Sequence, residues 1–296
     1  MCVNPTLRAW ADPSRTDLTV MMGVACGDTA GSIYELRNIR YRLDDAHLIA
    51  EGAHYTDDTV LSCAVARGLH AGLAHLPQDW MAAPEAEQVL TDAVRLELRR
   101  FGQRFPAAGY GSKFCDWMMS DDPQPYGSWG NGSAMRVSYA GWVARTLEEA
   151  EKLGEISAAV THNHPEGVKG AAVVAGCIFL LRQTGDKEAV RAYAGRHYDL
   201  NFTLNEIRDT YTFNASCQGS VPQAIVAFLE AADFTDAISG AISIGGDSDT
   251  IAAIAASLAE VIYPIPAEML EEVTGRMDDP LLAAIAGAVE FARNRA

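Results

Sequence analysis

Two short acidic clusters, Thr56-Asp57-Asp58 and Asp247-Ser248-Asp249-Thr250, hold the residue types in this chain best suited to chemistry. Each opens a run of small and apolar residues, and the second run, Thr250 to Ala259, is apolar on every face, as in a helix buried inside a domain. A carboxylate at the mouth of such a helix is costly unless a cation offsets it. No Lys or Arg lies within ten residues of the second cluster, and only Arg67 is that near the first. A divalent metal bound by oxygens from both clusters resolves the electrostatics. Asp57, Asp58, Asp247 and Asp249 suit two ions a few ångströms apart, with Thr56, Thr59 and Thr250 as neutral oxygen donors. Such a donor set favours Mg²⁺ or Mn²⁺ over zinc. The plainer reading is a pair of capped surface helices, with Thr56 as N-cap and acids in the first turn. Gly245-Gly246 argues for more, because two glycines let the backbone turn sharply beside a ligand.

Three further segments invite chemistry. Glu35 follows the Gly-rich end of the first helix and is either a solvated loop residue or a carboxylate on a flap beside the metals. Gly127-Ser-Trp-Gly130-Asn131-Gly132-Ser133-Ala134-Met135-Arg136 precedes a helix and can cradle a phosphate on free N–H groups, though it lacks the Gly-Lys-Ser/Thr ending of a P-loop. Arg136 would serve phosphate or an internal carboxylate. Thr161-His162-Asn163-His164-Pro165 suits hydrogen bonding to a ribose or phosphate, with Thr161 or Asn163 as cap, as well as a buried structural histidine. Ser216 to Pro222 is another cap-and-proline helix start that could line a pocket.

The elements that must position these residues are almost all helical. Residues 1–17 read as an arm laid over a single domain spanning 1–296. Helices are expected from Asp17 to about Ser32, Thr56 to about Leu73, and over 84–102, 133–145, 147–160, 166–184, 186–197, 221–231, 234–243, 248–263, 266–275 and 280–294. Asp122 to Gly132 is the clearest long loop, and 40–43 with 47–49 makes a short hairpin at best. The fold class is therefore all-α, a compact many-helix bundle around a binuclear metal site.

Composition narrows the partners. The 296 residues are 49% apolar and 21% charged, with a formal net charge of −16. Stable nucleic-acid binding and attraction to anionic membranes are not expected from such a surface. The six cysteines are scattered without a C-x-x-C pair and read as reduced thiols. No signal segment or apolar run of membrane length is evident, so a cytoplasmic location is the expectation.

Gly23 to Gly31, Tyr55 to Thr59, Gly130 to Arg136, Thr161-His162 with His164 to Gly167, and Gly245 to Thr250, in this order, resemble the ADP-ribosylglycohydrolase family of the dinitrogenase-reductase-activating type. The resemblance implies an all-α fold with two Mg²⁺ or Mn²⁺ ions ligated by Thr56, Asp57, Asp58, Asp247, Asp249 and Thr250. It matches Glu35 to the family's flap glutamate, Gly130 to Ala134 to its diphosphate and ribose contacts, and His162 to a ribose-binding position. The expected reaction is hydrolysis of the C1″ glycosidic bond of ADP-ribose on a protein or small-molecule acceptor, releasing ADP-ribose. Glu35, Asp57, Asp58 and Asp247 are the candidates for acid–base work, and Gly130, Asn131, Gly132, Ser133, Ala134, Met135 and His162 for substrate binding. Competing readings are a dimetal phosphoesterase acting on a nucleotide, a non-catalytic ADP-ribose binder and a plain helical scaffold. The 40–54 and 103–127 segments match nothing assignable and are expected to shape acceptor specificity.

Overall fold

A computed structural model describes residues 20–35 and 37–295, so the arm expected at 1–17 and the start of the first helix lie outside the described residues. Fifteen α-helices and no β-strand occur among the described residues. In chain order they are α1 (Met22–Gly31), α2 (Asp57–Leu73), α3 (Ala86–Arg104), α4 (Ser112–Met119), α5 (Gly132–Met135), α6 (Ser138–Val143), α7 (Leu147–Ala159), α8 (Pro165–Thr184), α9 (Lys187–Ala194), α10 (Leu204–Ile207), α11 (Cys217–Glu230), α12 (Phe234–Ile242), α13 (Ser248–Ala259), α14 (Ala267–Arg276) and α15 (Asp279–Arg295).

Helix α13 is the axle. Every one of its residues is buried, and it packs against α1, α11 and α12. Its closest partner is α1, because glycines recur every fourth residue along the α1 face turned toward it. A Cβ at Gly23 would lie 2.4 Å from the Ala256 carbonyl oxygen, one at Gly27 2.2 Å from that of Ala252, and one at Gly31 2.4 Å from Asp249 Cα. The two backbones therefore touch, which brings the C-terminal end of α1 against the acidic first turn of α13. At the other end of the pair, Glu260 caps α1 by accepting the N–H groups of Met21 (3.2 Å) and Gly23 (2.7 Å).

Several expectations need correction. The stretch proposed as a hairpin holds a single 3₁₀ turn, Asp45–His47. The helix expected over 133–145 is two short ones, α5 and α6, broken at Arg136 and Val137. Helix α11 begins at Cys217, well before Pro222, because Ser216 caps it through the Gly219 N–H. Helix α4 was hidden in the loop assigned to 103–127; its Phe114, Trp117 and Met118 turn inward. Against the expectation that no apolar run reaches membrane length, helix α8, 20 residues with a mean hydropathy of 1.2, is long and apolar enough to cross a membrane by length and composition. Here it packs against α6, α7 and α9, burying Val173, Val174, Cys177, Ile178 and Leu181.

Candidate metal centre

The bundle brings the two acidic clusters together. Asp57 and Asp58 occupy the first turn of α2, Asp247 the N-cap of α13 and Asp249 its first turn. Carboxylate oxygens of Asp28, Asp58 and Asp249 lie within 4.8 Å of one another, and so do those of Glu35, Asp247 and Asp249. Asp249 belongs to both groups. Asp28, Asp58, Asp247 and Asp249 are buried, while Asp57 and Glu35 are half-buried at the rim. The turn into α13 needs Gly245 and Gly246, whose φ angles are +68° and +75°.

Hydrogen bonds aim these side chains. Thr250 Oγ1 donates to Asp58 Oδ2 (3.2 Å), and Asn131 Nδ2 donates to Asp247 Oδ2 (2.7 Å) and to Ser220 Oγ (2.9 Å). Asp58 Oδ1 is buried without a hydrogen-bond partner. Such an orphaned anionic oxygen is costly unless a ligand takes it up. Burial pushes Asp57 up to about 7, reinforced by the charge of Asp28. Burial also raises Asp58 and Asp249 well above the usual carboxylate range, reinforced by the charges of neighbouring aspartates and, at Asp249, of Glu35. Asp247 and Glu35 are raised mainly by burial too, Asp247 less so for its hydrogen bonds. Oxygen-only donors, mutual repulsion and an orphaned oxygen are together the signature of a place for hard divalent cations. The residues present fit such ions.

The glycine-rich loop closes one side. It pairs with the segment before α11, Asn131 N–H donating to the Ala215 carbonyl (2.8 Å) and Cys217 N–H to that of Trp129 (2.9 Å). The side chain of Asn131 is committed to Asp247, and Ser133 Oγ donates to the Gly167 carbonyl (2.7 Å). Ala134 and Met135 are buried, with Met135 Sδ beside the Thr250 hydroxyl. Arg136 serves neither phosphate nor carboxylate: it is wholly buried and donates to Thr161 Oγ1 (2.7 Å) and the Ser157 carbonyl (3.2 Å). The Thr161 hydroxyl, which accepts from Arg136, also lies 2.7 Å from His162 Nδ1, and this contact turns Nε2 toward Gly130 and Gly132. Burial, with Arg136 nearby, holds His162 neutral, well below its ordinary value. His164, rather than Thr161 or Asn163, caps α8 through the Glu166 N–H (3.1 Å).

Three features escaped the sequence reading. Asp28, in the middle of α1, reaches into the first turn of α2. Arg40 donates to the carbonyls of Arg208 (2.8 Å), Tyr211 (2.7 Å) and Ile244, while Asn38 Oδ1 accepts the Gly246 N–H (3.0 Å). The segment after Glu35 is thereby tied to the turn that carries Asp247. Gly109, at φ +103°, sits over Asp57, where a Cβ would lie 3.6 Å from Asp57 Oδ1. Asp28 left a signal, a lone acid in a helix of small apolar residues; the partners of Arg40 are all distant in sequence.

The sequence profile of ADP-ribosylglycohydrolase matches residues 17–294, nearly the whole chain. The protein belongs to the ADP-ribosylglycohydrolase family. Within it, the chain is 26% identical over 341 residues to human ADP-ribosylhydrolase ARH3, covering 89% of this chain and 90% of that protein. Similarity to the Gallus gallus ADP-ribosylhydrolase ARH3 is 24% over 325 residues, covering 82% and 84%. An uncharacterized protein of Archaeoglobus fulgidus is 31% identical over 163 residues, 49% of this chain and 53% of that one. Among solved structures, an ADP-ribosylglycohydrolase-related protein complex superposes with a TM-score of 0.62 at 20% identity, covering 96% of this chain and 99% of the other. The all-α ADP-ribosylglycohydrolase fold expected from the sequence is the one observed.

Proposed function

We propose that this family member hydrolyses the C1″ glycosidic bond joining ADP-ribose to an acceptor and releases ADP-ribose, using two Mg²⁺ or Mn²⁺ ions. The observation that carries the reading is the pair of carboxylate groups sharing Asp249, with the buried, unpartnered Asp58 Oδ1 among them. Asp58, Asp249, Asp247 and Asp57 would hold the ions with the hydroxyls of Thr56 and Thr250. Ions bound there supply electrostatic stabilisation of ribose oxygens and lower the proton affinity of a bound water.

The remaining work falls to side chains. Asn131 fixes the carboxylate of Asp247 by its 2.7 Å hydrogen bond, so that oxygen cannot swing away. The neutral imidazole of His162 presents Nε2 beside Gly130 and Gly132, where it can hydrogen-bond a ribose or phosphate oxygen. Ser133 holds the loop to the start of α8, and the backbone of Gly130 to Ala134 lines the same side. Glu35 is the acid–base candidate best placed to move a proton, being half-buried at the rim yet within 4.8 Å of Asp247 and Asp249. As water adds to C1″, the departing acceptor must gain a proton and the water lose one, through an oxocarbenium-like state. Acceptors in the class are ADP-ribosylated proteins or small molecules. The test is to incubate the protein with a panel of ADP-ribosylated acceptors, with and without chelator, and read products by mass spectrometry. Free ADP-ribose with an intact diphosphate, formed only with Mg²⁺ or Mn²⁺, supports the proposal. Release of phosphate or AMP, or no turnover at saturating metal, overturns it.

A further inference from the structure

Building on the metal site proposed above, we infer that Asp28 is the positioning residue that makes Thr56 a metal ligand. Asp28 is wholly buried in α1 and spends its carboxylate on α2. Its Oδ1 accepts the Thr56 hydroxyl at 2.7 Å. Its Oδ2 accepts three donors: Thr56 N–H at 2.8 Å, Thr59 N–H at 3.0 Å and the Thr59 hydroxyl at 2.5 Å. Two N–H groups at the start of α2, which no carbonyl of that helix can satisfy, are thus taken up by an acid from another helix.

The consequence concerns the direction of one proton. A hydroxyl oxygen can ligate a cation only if its proton points away, and hydroxyl rotors are free unless an acceptor fixes them. Asp28 fixes Thr56. Of the oxygen's two lone pairs, one faces the Asp58 N–H at a long 3.4 Å, which leaves the other for an ion. Every hydrogen bond of the Asp28 carboxylate goes to Thr56 or Thr59, so although it stands within 4.8 Å of the Asp58 and Asp249 carboxylates it reaches the site through Thr56. The placement is enforced from behind: Gly27 and Gly31, on either side of Asp28, lie against the backbones of Ala252 and Asp249 and admit no Cβ. A charged acceptor that orients a ligand and raises its basicity is the usual role of an outer partner at a metal site.

The test is Mn²⁺ titration of the full-length protein by calorimetry and electron paramagnetic resonance, with melting in chelator as a separate readout. Wild type, Asp28→Asn, Thr56→Val, the double variant and Thr59→Val are compared. Asp28→Asn is expected to weaken one of two ions about 10- to 100-fold. Thr56→Val should weaken the same ion, and the double variant should bind no more weakly than Thr56→Val alone, because both act through one oxygen. The chelated Asp28→Asn protein should melt within a few degrees of wild type, a result that a merely structural role would not give. Wild-type affinity in Asp28→Asn, or additive losses in the double variant, overturns the inference. If Asp28→Asn does not fold, Thr59→Val decides, since it removes one donor from Oδ2 and is expected to weaken the same ion about threefold or more; unchanged affinity there overturns the inference too. Failure of the wild type to bind any Mn²⁺ instead overturns the underlying metal reading.

Discussion

Replacing Asp249 by asparagine should change stability in opposite directions with and without metal. Asp249 belongs to both carboxylate groups, within 4.8 Å of Asp28, Asp58, Asp247 and Glu35. Two unit charges at that separation repel by about 3.5 kcal/mol at an effective dielectric constant of 20. The metal-free cluster relieves part of this by keeping protons, so deleting one carboxylate should stabilise the chelated protein by about 2 kcal/mol. Asparagine retains an oxygen for the Thr250 N–H, which Asp249 Oδ1 accepts at 2.9 Å, so no backbone donor is orphaned. For a chain of this size that gain is a rise of about 5 °C in melting temperature. In saturating Mn²⁺ the order should reverse. Each ion bound at 100 times its dissociation constant stabilises the wild type by about 2.7 kcal/mol, and the variant loses most of that. ADP-ribose release should fall at least about 100-fold, the scale of lost metal assistance. Differential scanning fluorimetry in EDTA and in Mn²⁺ reads both signs. An equal fall in melting temperature under both conditions would mean that Asp249 is only structural, and the electrostatic reasoning would be refuted.

Metal-free stability should fall as pH rises from about 5 to about 7. Folding raises Asp57 to about 7 and moves Asp58 and Asp249 the same way, so the folded protein keeps protons that the unfolded chain releases near pH 4. Mn²⁺ replaces those protons and should flatten the slope; urea titrations across this range, with and without chelator, measure it. Asn131→Ala frees Asp247 and should lower kcat by about tenfold, with little change in chelated melting temperature; an unaltered kcat would count against its orienting role. Arg40→Ala removes donors to three carbonyls and should cost about 3 kcal/mol in urea denaturation, while also loosening the segment after Glu35, seen as faster hydrogen exchange over 35–40.

What the sequence revealed was what local chemistry encodes. Asp247 and Asp249 stood out because Gly245-Gly246 precedes them and an all-apolar helix follows, and Thr56 was legible as an N-cap from residue type alone. Where a role depends on tertiary contact, pattern was silent. Asp28 works on Thr56 and Thr59 from another helix, and no local rule points there. Residues 40–43 with 47–49 offered a short hairpin at best, and Arg40 instead braces three carbonyls from distant segments. Arg136 looked ready for phosphate because it follows a glycine-rich loop, yet the break between α5 and α6 sends it inward to Thr161. Ser216 to Pro222 was legible as a cap-and-proline helix entry and Ser216 is the cap, but the helix starts at Cys217 and not near 221 as expected.

The most direct test of the central claim is a crystal of the protein grown with Mn²⁺ and measured at the manganese absorption edge. The account predicts two anomalous peaks, both in contact with Asp249, one also held by Asp58 and the other also by Asp247. A map with no peak at the carboxylates, or with Asp249 touching neither ion, would contradict it.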